Sequence, residues 1–333
     1  MNVVLPSQGP VSIEGQSPGL ARETIEVVVT LPTFKRPAQV LETLGSLRRQ
    51  ETGRRFAVIL IENEAEAREG ARAALPLFES GAMTGMVIVA HQRGNCCAYN
   101  AGWQTAIDHF PGFRHIAVID DDELAEPEWL ERLCRAAETL GADIVGGPQV
   151  PTFADPGDAR WAAHPVFAPP YGETKRVPTL YSSGNLLVGR AVLEAMGPPF
   201  LDLRFNFMGG GDSDFLSRAA QKGFVLGWCA EARTLEMVPS RRTEADWIRA
   251  RSLRNGVIST LVEKRKRAGQ PFARTRVVLK SLALLAASPF RGLLRLVRTG
   301  STMTVLYPVH VALGRLLAEF GYANEQYRQP EKN

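Results

Sequence analysis

Short apolar runs alternate with amphipathic segments over the first 150 residues of the chain. The runs are rich in β-branched residues, and they predict buried strands at 26–31, 56–61, 86–90, 115–119 and 143–145. Apolar residues at helical spacing between them predict helices at 37–50, 65–78, 99–110 and 127–140. This alternation implies an α/β fold, with a mostly parallel, Rossmann-like sheet and helices on both faces.

The pattern changes after residue 150. Residues 151–178 are rich in Pro, Ala and Gly and predict loops, followed by strands at 185–188 and 224–229 and a helix at 214–222. A long basic helix is predicted at 244–267, and the apolar blocks beyond it predict a C-terminal helical extension. The longest uncharged apolar run there is 281–290, which is too short to cross a bilayer.

Composition and charge narrow the class of protein. The 333 residues are 45 % hydrophobic and 22 % charged, which excludes a disordered chain. Four scattered cysteines and the lack of a signal-peptide pattern favour a reducing cytoplasm. Residues 240–298 hold 12 Arg and three Lys against three acids, so this segment carries +12 and the remainder −8. Such segregation implies an anionic partner: a diphosphate, an acidic membrane surface or a nucleic acid.

Four acidic residues, 120–123, directly follow the predicted strand 115–119. Ligands of open parallel sheets bind outside the carboxyl ends of the strands. Alternation along an extended chain would bring Asp120 and Asp122 together and turn Asp121 away. Carboxylates so placed suit Mg²⁺ or Mn²⁺, which bridges phosphate oxygens. The alternative is a solvated acidic turn that caps the helix beginning near Pro127.

A second acidic site follows three glycines, in the sequence GGGDSDF at 209–215. Glycines permit close approach of the backbone to a ligand. Either Asp212 or Asp214 could simply cap the helix that follows. The other carboxylate would then be placed to accept a proton from an attacking hydroxyl.

Together these features resemble the family 2 glycosyltransferases of GT-A fold, and within them the bacterial exopolysaccharide β-glycosyltransferases of the succinoglycan type. The similarity runs from about Val27 to Gly256. Its landmarks are TFKRP at 33–37, Glu62-Asn63, RGN at 93–95, the IDDDE run, Gly147-Pro148, SGNLL at 183–187, GGGDSDF and EMVP at 236–239, with Arg242, Trp247, Arg251 and Arg254.

The Pro, Gly and Ser content of the N-terminus indicates a flexible leader at 1–24, and the resemblance implies a GT-A catalytic domain at 25–256 followed by a basic helical tail at 257–333. Within the catalytic domain, 25–150 would be the nucleotide-binding half and 151–256 the acceptor half. It also implies a nucleotide-sugar donor carrying UDP, a divalent cation and a saccharide acceptor, which we expect to be lipid-linked.

Roles follow residue by residue from the same resemblance. Thr33 and Arg36 would hold the nucleotide, with Glu62 at the uracil edge in place of the family's usual Asp. Asn100 and Asp120 would contact nucleotide or ribose, and Arg242 the diphosphate. Asp122 and Glu236 would bind the metal, and Asp212 would be the general base. Gly211 stands where the family usually has Glu. Trp247 is expected in the core.

The sequence of the tail is compatible with two positions, on a membrane surface or against the catalytic domain. Arg291, Arg295 and Arg298 share one helical face and leucines crowd the other, which suits a helix lying on an anionic membrane. The alternative is a helix that packs back on the catalytic domain. We therefore expect a cytoplasmic protein, peripheral on the inner face of the cytoplasmic membrane. Nucleic acid is not an expected partner, because the basic segment lacks interleaved aromatic residues.

Two other functions compete with glycosyl transfer. A sugar-nucleotide nucleotidyltransferase also needs metal-binding carboxylates, but it should carry a Gly-rich phosphate loop after the first strand, where this chain reads LPTFKRP. A catalytically silent, membrane-associated glycan-binding protein is the other alternative, and Gly211 is the residue that favours it.

Overall fold

A nine-stranded sheet forms the centre of the computed structural model, which describes residues 10–322 and residue 328. Its strands, and those of a second, three-stranded sheet, are β1 (Val11–Gln16), β2 (Val27–Thr33), β3 (Phe56–Glu62), β4 (Gly85–Ala90), β5 (His115–Ile119), β6 (Glu123–Ala125), β7 (Ile144–Gly146), β8 (Gln149–Phe153), β9 (Lys175–Arg176), β10 (Asn185–Gly189), β11 (Leu226–Trp228) and β12 (Thr234–Val238).

The helices are α1 (Pro37–Leu47), α2 (Glu69–Glu79), α3 (Asn95–His109), α4 (Trp129–Leu140), α5 (Arg190–Met196), α6 (Gly211–Gln221), α7 (Ala245–Lys266), α8 (Ala273–Thr299) and α9 (Tyr307–Leu317). Each helix predicted from periodicity is present, with ends that differ by up to four residues. The predicted α/β class is confirmed.

The large sheet has the order β1-β4-β3-β2-β5-β10-β7-β11-β9. Strands β2, β3, β4, β5, β7 and β11 run in one direction, and β10 runs antiparallel between β5 and β7. The carboxyl ends of β2 and β5 therefore lie side by side, which brings Thr33 next to the acidic run after Ile119. The small sheet has the order β6-β12-β8 and extends from that same edge.

Apolar side chains cover both faces of the large sheet. Alternate residues of β2 belong to different cores: Val28 packs with Trp103 and Phe215, whereas Val29 packs with Leu44 and Trp129. Successive residues of a strand point to opposite faces, so a strand buried on both faces is apolar throughout. This explains why the sequence of β2 is a continuous apolar run. The two cores also confirm the prediction of helices on both faces of the sheet.

Residues 11–16 contradict the expected flexible leader. They form β1, which pairs antiparallel with β4 at the edge of the sheet. Val11 and Ile13 alternate with polar residues, as in a strand. The strand is short and contains Gly15, and the Pro, Gly and Ser residues around it masked this alternation. Residues 1–9 of the predicted leader lie outside the described residues.

The predicted boundary at residue 256 falls inside α7. Gly256 and Gly314 bring α7 and α9 into close contact, because a Cβ on either glycine would overlap backbone atoms of the other helix. The guanidinium of Arg315, 2 % exposed, donates to Glu263 Oε2 over 2.7 Å and to Ser259 Oγ over 2.7 Å. The segment predicted as the catalytic domain therefore continues into the predicted tail without a break.

Helix α8 is longer and more apolar than the sequence suggested. It continues through Pro289 and Arg291, and by length and composition its residues Ala273–Arg298 could cross a membrane. The sequence analysis counted only uninterrupted uncharged residues. It did not identify this candidate span, because isolated cations interrupt the apolar pattern. Only 22 % of its apolar window is buried against the protein.

Candidate active site

One large cavity opens at the carboxyl edge of the sheet. Its volume is about 1170 Å³. The predicted site residues that line it are Thr33, Arg36, Asp120, Asp122, Asp212, Glu236 and Arg242. The structure thus brings the acidic run after β5 and Asp212 of α6 into the same cavity.

The acidic run turns sharply after β5, so that its carboxylates point in different directions. The backbone N–H of Glu123 donates to Asp120 O over 3.2 Å, closing a turn. Asp121, which also lines the cavity, accepts from Thr33 Oγ1 and Arg36 Nη1, each at 2.8 Å. Asp120 and Asp122 converge as expected, although a turn produces this rather than alternation along a strand.

Three carboxylates, not two, form the cluster. One carboxylate oxygen from each of Asp120, Asp122 and Glu123 lies within 4.8 Å of the others. Glu123 is 1 % exposed, its Oε1 accepts from Gln149 Nε2, and its Oε2 has no hydrogen-bond partner. A buried, unpaired carboxylate oxygen is costly. The donor set of hard oxygens and the orphaned atom both fit a divalent cation such as Mg²⁺ or Mn²⁺.

The electrostatics of the cluster reflect crowding of like charges. Burial and the carboxylate of Asp122 raise the pKa of Asp120 to about 7. Burial and the carboxylate of Asp120 also raise the pKa of Glu123. Tyr99 stabilises the group by donating from its hydroxyl to Asp120 Oδ1 over 2.5 Å. A bound cation would relieve this repulsion.

Two arginines donate to the same oxygen of the cluster. Arg36, just before α1, donates from Nη1 to Asp122 Oδ2 over 3.1 Å. Arg242, in the turn between β12 and α7, donates from Nη2 to the same oxygen over 3.3 Å and from Nη1 to Glu236 Oε1 over 2.9 Å. Glu236 therefore pairs with Arg242 and lies outside the cluster of three carboxylates. The family resemblance had implied that Glu236 binds the metal.

Asp212 lies at the first turn of α6 and faces the cavity. Its Oδ1 accepts from the backbone N–H of Ser213 over 2.7 Å. Burial raises the pKa of Asp212, while the Ser213 amide and the positive charge of Arg251 oppose that rise. Asp214 instead is 1 % exposed and pairs with Arg218 and Arg265, each at 2.8 Å. Asp214 thus has a structural partner, and Asp212 is the acid left facing the cavity.

Gly211 has a packing explanation. A Cβ at this position would approach Cys96 Sγ to 2.7 Å, and Cys96 is 1 % exposed. The first turn of α6 therefore rests directly on α3, and a Glu side chain at residue 211 would not fit this packing.

Two predicted residues are not brought into the site. Glu62 is fully buried and accepts from the backbone N–H groups of Glu64 and Ala71 at 2.9 and 3.0 Å, so it fixes the start of α2. Asn63 lines the cavity in its place. Asn100 exchanges two hydrogen bonds of 2.8 Å with the backbone of Leu201. Both residues support the loops around the cavity.

Sequence reasoning also missed residues that do lie there. Tyr99 and Gln149 contact the acidic cluster, and no spacing signal marked either of them. Glu123 belonged to the acidic run but was given no role in the predicted metal site. Trp247, expected in the core, is half-buried and lines the cavity, where its ring stacks on Phe167 with centroids 6.2 Å apart.

Comparisons with known proteins agree with this geometry. The family model of glycosyl transferase family 2 matches residues 28–194. The succinoglycan biosynthesis protein ExoM of Rhizobium meliloti (strain 1021) is 29 % identical over 249 residues, which cover 71 % of this chain and 75 % of that protein.

Two solved structures have the same fold. The mannosyltransferase PcManGT from Pyrobaculum calidifontis, in complex with GDP-Man and Mn²⁺, has a TM-score of 0.54 at 18 % identity, covering 92 % of this chain and 90 % of its own. Residues 1–349 of TarS from S. aureus, in complex with UDP, give a TM-score of 0.51 at 12 % identity, with 92 % of this chain and 92 % of that one covered. The family match favours glycosyl transfer over the nucleotidyltransferase alternative, and the chain belongs to glycosyl transferase family 2, with a GT-A fold.

Proposed function

We propose that the protein transfers a sugar from a nucleoside diphosphate to a saccharide hydroxyl, with inversion at the anomeric carbon. The observation that carries this proposal is that Asp122 and Asp212, from distant parts of the chain, line one cavity. UDP is the proposed carrier, since complexes of TarS hold UDP and UDP-GlcNAc. GDP is the alternative carrier to test, as in the PcManGT complex.

The metal proposal rests on the chain's own carboxylates. Asp120, Asp122 and Glu123 would hold a divalent cation, which when bound neutralises charge on a leaving diphosphate. Arg36 and Arg242 lie beside the same oxygen of Asp122, so their guanidinium groups are placed to bind diphosphate oxygens.

The catalytic base would be Asp212. Its carboxylate accepts the proton of the acceptor hydroxyl as that oxygen attacks the anomeric carbon. The raised pKa of Asp212 makes it a stronger base than an exposed aspartate. Arg251 beside it favours the carboxylate form before the proton moves. A single displacement of this kind inverts the anomeric centre.

The proposed membrane position of the tail rests on large apolar side chains that α8 leaves exposed. The helix buries Val277, Ser281, Ser288 and Gly292 against the protein. Its large apolar residues face outward: Leu279 (60 % exposed), Phe290 (77 %), Leu293 (57 %) and Val297 (76 %). Water would disfavour such a face, whereas the boundary between lipid headgroups and chains would stabilise it.

We propose that α8 lies in the membrane surface rather than spanning it. Lys280, Arg291 and Arg298 follow one edge of the apolar face, since spacings of 11 and 7 residues return to the same side of a helix. A charge as central as Arg291 is costly within a bilayer but favourable beside anionic headgroups. A surface position next to the cavity suits a lipid-linked saccharide acceptor.

The test of the reaction is a donor screen. UDP- and GDP-hexoses are supplied with a lipid-linked acceptor pool, and nucleotide release is measured with and without Mn²⁺ for wild type and Asp122→Ala. We expect release that depends on Mn²⁺ and is lost in the variant. Metal-independent release that survives Asp122→Ala would overturn the proposed mechanism.

Liposome sedimentation tests the membrane position. The variant Phe290→Ser/Val297→Ser should bind vesicles of anionic lipid more weakly than wild type. The matched control is Leu203→Ser, at an exposed leucine (48 %) outside the tail. Equal sedimentation of all three proteins would contradict this part of the proposal.

A further inference from the structure

Two tyrosines line the cavity near Asp212, and the proposed chemistry uses neither of them. Tyr181 lies in the loop before β10, and Tyr307 is the first residue of α9 in the tail. Tyr181 is 58 % exposed and Tyr307 is half-buried, so a ligand in the cavity can reach both rings. They come from segments more than 100 residues apart, which the fold brings to one cavity.

Backbone contacts hold Tyr181 next to the proposed base. Its carbonyl oxygen accepts from Ser213 Oγ over 3.1 Å, and Ser213 directly follows Asp212 in the first turn of α6. The backbone N–H of Ser183, two residues after Tyr181, donates to the carboxylate of Asp212. The segment that carries Tyr181 therefore crosses the first turn of α6, and its side chain lines the cavity beside the base.

Tyr307 reaches the same region from the tail. The turn before α6 lies against α7, because a Cβ on Gly210 would come within 2.6 Å of Ile258 Cγ2. Asn255, about one turn earlier in α7, has its Nδ2 3.5 Å from the hydroxyl oxygen of Tyr307. Partial burial and the neighbouring Tyr307 raise the pKa of Tyr181, so the two tyrosines are close enough to interact. Both rings thus lie near the start of α6.

The ring of Tyr307 is oriented by its neighbours. His164, from the loop before β9, meets it edge-on, with centroids 5.4 Å apart and an angle of 88° between the planes. The guanidinium of Arg295, from α8, lies 5.4 Å from the centre of the same ring. A side chain that is already held by its neighbours loses little conformational freedom when a ligand binds, which favours binding.

A pair of tyrosines in this position suits a sugar. A sugar ring has C–H groups on its faces and hydroxyls around its rim, whereas tyrosine combines an apolar ring with a polar tip. We propose that Tyr181 and Tyr307 bind the acceptor sugar beside Asp212, so that α9 completes the acceptor site. This inference rests on the proposed function and adds to it. The acceptor site then extends beyond the predicted acceptor half at 151–256, and the tail serves the reaction directly.

The test separates the acceptor from the donor in the full chain with Mn²⁺. Nucleotide release is measured against the concentration of a lipid-linked saccharide pool extracted from bacterial membranes, and the Kd of the donor is measured separately. We expect Tyr181→Ala and Tyr307→Ala each to raise the KM for the pool about tenfold or more, since aromatic anchors covered by a ligand carry a large share of its binding free energy. Donor Kd should be unchanged. Tyr307→Phe keeps the ring and should lie closer to wild type.

The matched control is Tyr322→Ala, which removes an exposed tyrosine (42 %) of the tail that does not line the cavity. An unchanged KM in both cavity variants, an equal rise in Tyr322→Ala, or a rise in Tyr307→Phe as large as in Tyr307→Ala would overturn the inference. So would an equal weakening of donor binding, because the rings would then serve the donor.

Failure of the wild-type protein to release nucleotide, or release that the pool does not increase, would instead contradict the proposed function. Thermal unfolding of each variant separates a lost site from a lost fold. If Tyr307→Ala unfolds, Tyr181→Ala still tests the inference, because it changes an exposed side chain.

Discussion

Glu123 on β6 and Glu236 on β12 are direct partners in the antiparallel ladder of the small sheet. Their side chains therefore share one face, although like charges directly opposite each other destabilise a sheet. Separate partners compensate: Gln149 donates to Glu123, and Arg242 donates to Glu236. Of these two acids of the small sheet, Glu236 lines the cavity, and Glu123 joins Asp120 and Asp122 in the acidic cluster.

Removing Arg242 should destabilise the protein through Glu236. We expect Arg242→Gln to lower the free energy of unfolding by about 1–3 kcal/mol, because a partly buried carboxylate loses its cation. Adding Glu236→Gln should restore most of that loss, since the uncompensated charge is then absent. Urea unfolding of the two single variants and the double variant measures this coupling. Additive losses would show that the pair does not interact as its geometry implies.

Glu123, rather than Glu236, should determine metal affinity. We expect Glu123→Gln to weaken Mn²⁺ binding at least about tenfold, as loss of an oxygen ligand should have no smaller effect than loss of a supporting group around a metal. Glu236→Gln should change that affinity much less. Titration followed by the electron paramagnetic resonance signal of free Mn²⁺ gives both constants without turnover. Similar losses in the two variants would contradict the assignment of the third carboxylate.

Metal binding should depend on pH near neutrality. In the metal-free protein the pKa of Asp120 is raised to about 7, so this carboxyl is largely protonated at pH 6 and ionised at pH 8. Carboxylates bind metal in their ionised form, so Mn²⁺ affinity should increase with pH across this range and binding should release protons. Calorimetry in buffers of different ionisation enthalpy measures the release. The variant Asp120→Asn should reduce both the pH dependence and the number of protons released.

A side chain at residue 211 should disturb the start of α6. We expect Gly211→Ala to cost about 1–3 kcal/mol of stability, because the added methyl group presses on Cys96 Sγ. Cys96→Ala in the same chain should recover part of that cost by making room. Thermal unfolding checks both. No effect of Gly211→Ala would mean that the packing explanation for this glycine is wrong.

The central strands and helices could be predicted because their sequences carry one consistent period. β2 and β3 are buried on both faces, so their apolar runs are unbroken. The start of α2 was predicted four residues early, at Ala65. The carboxylate of Glu64 accepts the backbone N–H groups of Glu66 and Arg68 at 3.2 and 3.0 Å, which forms a turn before the helix. Hydrophobic periodicity does not reveal such a side-chain hydrogen bond to the backbone, which competes locally with helix formation.

The site was predictable where chemistry follows directly from the end of a strand or the start of a helix. Asp122 and Asp212 meet these conditions, and both line the cavity. Glu62 was assigned by analogy with a shorter Asp. Its longer side chain reaches the amide of Ala71 and is fully buried. Contacts between distant segments, such as Tyr99 with Asp120, leave no mark on the sequence near either residue.

The central claim is that Asp212 accepts the proton of the acceptor hydroxyl while the carboxylates near Asp122 serve the leaving group. Asp212→Asn removes the base and keeps the shape of the side chain. The most direct test compares kcat for nucleotide release in wild type and Asp212→Asn with Mn²⁺, together with the Kd of the donor. We predict a fall in kcat of about 10²–10⁴-fold with donor affinity retained. Full activity in Asp212→Asn would contradict the account.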